Sequence, residues 1–212
     1  MTVLLHHPSS AFSPDTTMGA RALPAPLPTT AHGRTTASAQ PVVAIDVDGV
    51  LNPDPRHAAR HGYHPHHYDG PDPRGNPTTG VVWLHPAHGP WLLDLRHQGA
   101  DLVWCTTWGH LAPNWIAPRL GLPGTWPVID VPGGGVRWGS NVKLGALYQA
   151  TGTRPVAVLD DQFGPRDPGN ARQRTAAGSA TLLVPVHPTR GLTRAHITTV
   201  ATWLAEHRGP PR

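Results

Sequence analysis

The sequence predicts an α/β fold: a doubly wound, mostly parallel sheet with a minimal cap or flap. Three observations carry this. Short β-branched runs alternate with amphipathic stretches between residues 41 and 207, the pattern of strands joined by crossover helices on both faces of a sheet. Three of the runs end in polar groups, at Asp46 and Asp48, at Thr106 and Thr107, and at Asp160 and Asp161; parallel sheets gather their chemistry at the carboxyl ends of strands. One segment, 52–79, is long, polar and rich in Pro, His, Gly and Asp. It has the size of a flap, and no later segment has room for a large cap.

The chain has 212 residues, 38% of them hydrophobic, with 26 Pro and 23 Gly. This suits one domain with a full core and many loops. The net charge of +4 with only 14% charged residues excludes a dense basic stripe for nucleic acid but fits an anionic substrate. Cys105 is the only cysteine, which excludes an intrachain disulfide and a cysteine zinc cluster and suits a reducing cytosol. Only Val3-Leu4-Leu5 precedes two histidines at the amino terminus, so no signal-peptide core is present. No apolar run reaches the roughly 18 residues of a membrane span. A cytoplasmic protein without a membrane partner or obligate protein partner is expected.

Residues 1–40 are rich in Pro, Ser, Thr and Ala and include Leu23-Pro24-Ala25-Pro26-Leu27-Pro28, which predicts a disordered leader; Met18 is a second candidate start. The apolar run 42–47 predicts the first strand. Within 52–79, His57, His61, His64, His66 and His67 read as a solvated flap loop, with a second metal site as the alternative. Further strands are expected at 81–84, 101–107, 126–131, 155–159 and 181–186. Helices are expected at 86–99, 110–120, about 141–150, 167–177 and 193–207. Ser140 or Asn141 caps the third of these and Thr193 the last. Residues 208–212 form a tail.

In the first strand, period-two geometry sends Asp46 and Asp48 to one side. An Asp-Gly pair is also an ordinary turn. Combined with Thr106, Lys143, Asp160 and Asp161, however, the acids form a site for a phosphoryl group. Clustered carboxylates hold Mg²⁺ through oxygen, a lysine neutralises phosphate charge, and a carboxylate in line with phosphorus can attack it.

The order Asp-Val-Asp-Gly-Val-Leu (46–51), a strand ending in Thr, a lysine, then Val-Leu-Asp-Asp (158–161) resembles the haloacid dehalogenase-like (HAD) hydrolases and their Rossmannoid sheet. A receiver domain has the same residue types, but its lysine ends the last motif, whereas Lys143 precedes Asp160. More narrowly, Leu102-Val103-Trp104-Cys105-Thr106-Thr107-Trp108, Asn114, Arg119-Leu120-Gly121-Leu122-Pro123, Thr181-Leu182-Leu183-Val184 and Gly191-Leu192-Thr193 resemble the HAD domain of Swiss-army-knife RNA repair proteins.

The resemblance, over residues 41–207, implies a Mg²⁺-dependent phosphatase with Asp46 as nucleophile and Asp48 as general acid and then base. It implies metal ligands from the Asp46 carboxylate, the Asp48 backbone carbonyl and Asp161, with Asp160 orienting Lys143 or a metal-bound water. Thr106, with Thr107 as the competing choice, and Lys143 would bind the phosphoryl group. Trp108, Arg137 and Trp138 are candidates to bind substrate by stacking or charge, while Trp91 and Trp104 read as core. The expected substrate is a phosphorylated nucleotide or nucleic-acid end. The alternatives are a small phosphorylated metabolite, or a non-catalytic HAD-like binding domain.

Overall fold

The computed structural model describes residues 40–72, 75–123 and 125–207. The expected leader, apart from Gln40, and the 208–212 tail lie outside the described residues. In chain order the elements begin with strand β1 (Val42–Ile45), the short helix α1 (Pro55–Ala58), strands β2 (His64–Pro71) and β3 (Pro77–Leu84), and helix α2 (His88–His97). Strand β4 (Asp101–Trp104), helix α3 (Ala117–Arg119), strands β5 (Val136–Arg137) and β6 (Ser140–Asn141), and helix α4 (Lys143–Thr151) follow. Strand β7 (Val156–Asp160), helix α5 (Asp167–Ala176), strand β8 (Thr181–Pro185) and helix α6 (Arg194–His207) complete the order.

The central sheet is parallel, in the order β4-β1-β7-β8. Its two central strands, β1 and β7, are buried on both faces, so they read as continuous apolar runs rather than as alternation. Val43, Ile45, Leu102, Trp104 and Leu159 pack in one cluster with Leu92 and Leu95 of α2 and Ile197, Val200 and Leu204 of α6. The alternate residues Val42, Ala44, Val103, Cys105, Val156 and Val158 pack with Leu144 and Leu147 of α4. Each fully buried aliphatic side chain contributes about 1.5–3 kcal/mol. No helix among the described residues is long and apolar enough to cross a membrane.

Four expectations need correction. Segment 52–79 is not a loop: it holds α1 and most of an antiparallel hairpin, with β2 paired to β3 from His64 opposite Leu84 to Pro71 opposite Pro77. Most of β2 is exposed and Tyr68 is its one buried residue, so the strand carries no apolar signature; backbone pairing makes it. The strand expected at 81–84 is the end of β3 and lies in this hairpin, outside the central sheet. Segment 126–131 forms a single bridge, Val128 to Trp104. Pro127 accepts a hydrogen bond from the Trp104 N–H but has no N–H to extend the ladder. The helix expected at 110–120 is a π-helical turn, Ala112–Ile116, running into α3.

Candidate active site

The face alternation of the sheet fixes the site. Asp46 continues the row of Val42 and Ala44, and Asp160 that of Val156 and Val158, on the side covered by α4. Lys143, the first residue of α4, meets both. Its Nζ lies 2.5 Å from Asp46 Oδ2 and 2.6 Å from Asp160 Oδ2. All three side chains are buried. The Asn141 side chain accepts the Lys143 backbone N–H at 2.9 Å, which satisfies one of the free donors at the helix start. Val47 N–H donates to Asp46 Oδ1 at 2.8 Å and Gln162 N–H to Asp160 Oδ1 at 2.9 Å.

Asp161 completes the group. Oxygens of Asp46, Asp160 and Asp161 lie within 4.8 Å of one another, the only such group of three or more potential metal-ligating side chains among the described residues. The histidines of β2 form no such cluster. Asp161 Oδ1 is buried without a hydrogen-bond partner. Gly49 makes room for this carboxylate: its φ is +77°, and a Cβ there would stand 2.3 Å from Asp161 Cγ, so both the backbone and the space require glycine. Three carboxylates against one ammonium leave two negative charges, which one divalent ion would balance. An all-oxygen donor set suits Mg²⁺.

Burial dominates the electrostatics of the group. Burial pushes the Asp46 carboxyl up to about 7; Lys143 pulls against this and Asp160 adds to it. Asp161 is raised by burial and by Asp160. Burial works to lower Lys143, but Asp46 and Asp160 outweigh it and raise it. Cys105, buried, is pushed up to about 12 by burial, so it stays a thiol.

Asp48 stands apart from this group. β1 ends at Ile45, and the chain turns so tightly that Val47 O accepts N–H bonds from Val50, Leu51 and Asn52. The alternation expected to align Asp46 with Asp48 therefore does not extend to Asp48, which is exposed. Its carboxylate accepts the Asn52 side-chain amide at 2.8 Å and the Trp108 indole N–H at 2.9 Å. Asn52 was not foreseen; its signal is a polar residue directly after the apolar Val50-Leu51 pair.

Thr106 is buried just beyond β4, its hydroxyl accepting the Trp108 N–H at 3.3 Å. Thr107 is exposed. Both line an open cleft of about 1060 Å³ together with Trp108, His110, Asn114 and Asp130. Trp104 is fully buried, and Trp91 is half-buried and stacked on His85. Arg137 is exposed on the β5–β6 hairpin and makes no hydrogen bond or ion pair with the carboxylate group. Trp138, at the turn of that hairpin, is 85% exposed and the only non-glycine described with positive φ, 55°. A more apolar groove of about 850 Å³ between α5 and the edge strand β8 has Arg172 as its only ionisable lining residue and lies apart from the chemistry.

A parallel sheet that brings carboxylates from two adjacent central strands to the lysine of a crossover helix agrees with the HAD class of hydrolases. The chain matches, over residues 42–197, the family described as the HAD domain in Swiss Army Knife RNA repair proteins, and it belongs to that family. No curated protein and no solved structure matches it.

Proposed function

We propose that this HAD hydrolase is a Mg²⁺-dependent phosphomonoesterase acting through phospho-Asp46, with nucleotide or nucleic-acid-end phosphates as substrates. The observation that carries this reading is the three-carboxylate group with one bridging lysine and an unpartnered Asp161 oxygen. The Asp46 and Asp161 carboxylates and the Asp48 backbone carbonyl would hold the ion, with Asp160 orienting Lys143 or a metal-bound water, and the ion would supply charge neutralisation for the phosphoryl group.

Asp46 is oriented for attack by Lys143 on one oxygen and Val47 N–H on the other. Its carboxylate forms a bond to phosphorus while the bond to the leaving oxygen breaks, and Asp48 gives that oxygen its proton. Asp48 then takes a proton from water as the water oxygen attacks phosphorus and the bond to Asp46 breaks. Thr106 and Lys143 hold phosphoryl oxygens, and Thr107 and Trp108 border the leaving group. Exposed Arg137 and Trp138 offer a charge and a stacking face for a nucleotide. The lone buried cysteine fits a cytoplasmic setting.

A second reading, a small phosphorylated metabolite, is favoured by one observation. The described lining of the large cleft contains Asp72 and Asp130 but no lysine or arginine, an unfavourable path for further phosphates. The test is hydrolysis of an aryl phosphate by the full chain with Mg²⁺, beside 5′- and 3′-phosphorylated oligonucleotides and sugar phosphates. Asp46→Asn is expected to lower kcat by about 10⁴-fold or more; robust turnover by that variant overturns the mechanism. Activity confined to sugar phosphates selects the second reading. No turnover of any substrate by the unmodified chain points to a binding domain.

A further inference from the structure

The two groups that hold Asp48 are each fastened to the β2–β3 hairpin, by different strands. Asn52 donates to Asp48 Oδ1 through its amide nitrogen, and its amide oxygen accepts the backbone N–H of Trp83, in β3, at 2.9 Å. Trp108 donates to Asp48 Oδ2, and its ring meets the edge of Tyr68, in β2, with centroids 5.9 Å apart. Tyr68 also meets Trp115 at 5.1 Å, and Trp115 lies near-parallel to Trp108 at 6.3 Å. The Arg119 guanidinium covers Trp115 at 3.6 Å. Tyr68 is the one buried residue of β2 and, with the buried Val82 and Leu84 of β3, it seats the hairpin on the core.

We infer that Asn52 and Trp108 are positioning residues through which the seated hairpin sets the orientation of the Asp48 carboxyl. This rests on Asp48 being the general acid. An exposed carboxyl group on a loop has free χ rotations; two hydrogen bonds, one to each oxygen, remove that freedom. Each oxygen keeps a second lone pair, where the proton to be transferred can sit. The bond to Trp83 makes Asn52 a rigid donor, since rotating its amide breaks both contacts. The Tyr68 edge does the same for the indole. A pocket of about 320 Å³, lined by Asp48, Asn52, Tyr68 and Trp108 together with Thr79 and Val82 of β3, lies along this contact.

A positioning role has a signature that general destabilisation lacks. Protonating the leaving oxygen matters for an alkyl phosphate, whose alkoxide is a poor leaving group, and matters little for p-nitrophenyl phosphate. The experiment compares kcat/KM for these two esters with Mg²⁺; this ratio reports steps up to departure of the alcohol and not the later attack by water. The variants are Trp108→Phe, which keeps an aromatic ring and deletes the donor, Asn52→Ala, and Tyr68→Leu, which removes the ring contacts with Trp108 and Trp115.

Asp48→Asn is the reference. It is expected to lower the alkyl-to-aryl ratio by about 100-fold or more. Trp108→Phe and Asn52→Ala are expected to lower it by roughly tenfold and Tyr68→Leu by less, consistent with loosened acid catalysis. Trp108→Phe added to Asp48→Asn should lower the ratio no further. Equal losses on both esters, or an unchanged ratio in Trp108→Phe and Asn52→Ala while Asp48→Asn shifts it, overturn the positioning role. An unchanged ratio in Asp48→Asn itself overturns the general-acid reading and this inference with it.

Discussion

Asp46 and Asp48 are two residues apart, yet the sheet grips one and the hairpin region the other. Asp46 sits in the row of a buried central strand, and its partners come from α4 and its own backbone. Asp48 is exposed, and its partners are side chains tied to β2 and β3. The proposed nucleophile is thus fixed by the most buried part of the fold. The proposed acid depends on an antiparallel ribbon seated by Tyr68, Val82 and Leu84. A buried ion pair tolerates little change, because removing one partner strands the other in a medium that solvates charge poorly. An exposed carboxylate has water as its fallback.

The largest expected effect tests that asymmetry directly. Lys143→Met leaves Asp46 and Asp160 without their cation at a site where both are buried. We expect a loss of about 3–5 kcal/mol in urea unfolding without added metal. Asp48→Asn should cost about 1 kcal/mol or less, because its hydrogen bonds are exchanged for bonds to water. Similar losses in the two variants would erase the distinction between a sheet-held and a hairpin-held acid.

The next effect sharpens the sheet side. Three clustered carboxylates that share one lysine, and an unpartnered Asp161 oxygen, predict that Mg²⁺ stabilises the chain. At a hundred times its dissociation constant the gain is about 2.7 kcal/mol by mass action. Thermal unfolding with Mg²⁺ and then with a chelator reads it. Asp161→Asn should remove most of the gain, while Asn52→Ala should leave it. A gain that survives Asp161→Asn would place the ion elsewhere.

The same contrast explains what could be read from the sequence. The sheet and its acids were legible because a parallel strand buried on both faces must be an apolar run, and the polar residue that ends it announces a site. Lys143 was legible through its order relative to Asp160, whereas the need for glycine at 49 shows only in the clearance it leaves for Asp161. The hairpin was not legible, since β2 is exposed and its histidines and prolines carry no period. Segment 126–131 misled in the opposite way: it has the apolar run of a strand, but Pro127 stops its pairing after one bridge. Asn52 was hidden because its role lies in a contact with Trp83, 31 residues away, which no local pattern encodes.

A last contrast concerns the root of the hairpin, where protonation acts with a sign opposite to that at the sheet. Tyr63, just before β2, donates to the Arg190 carbonyl at 3.1 Å and lies edge-on to His85 and His88. His88 is fully buried, its Nε2 donates to the Leu192 carbonyl at 3.1 Å, and its Nδ1 has no partner. Burial pushes its pKa down to about 3 from an ordinary 6.5, with the Leu192 carbonyl opposing and His85 assisting. The unfolded chain therefore takes up this proton first as pH falls. Stability from this site is intact above about pH 6.5 and is lost toward pH 3, by about 1.4 kcal/mol per unit. At Asp46 the folded state holds its proton up to about pH 7 and the unfolded chain releases it near 3.8, so in the absence of metal stability falls there as pH rises. Wild-type protein in chelator should show these slopes partly cancelling between pH 4 and 6.5. His88→Leu should expose the falling Asp46 slope, and Asp46→Asn the rising His88 slope. Parallel pH profiles for the two variants would show that the sheet cluster and the hairpin root do not titrate as separate regions.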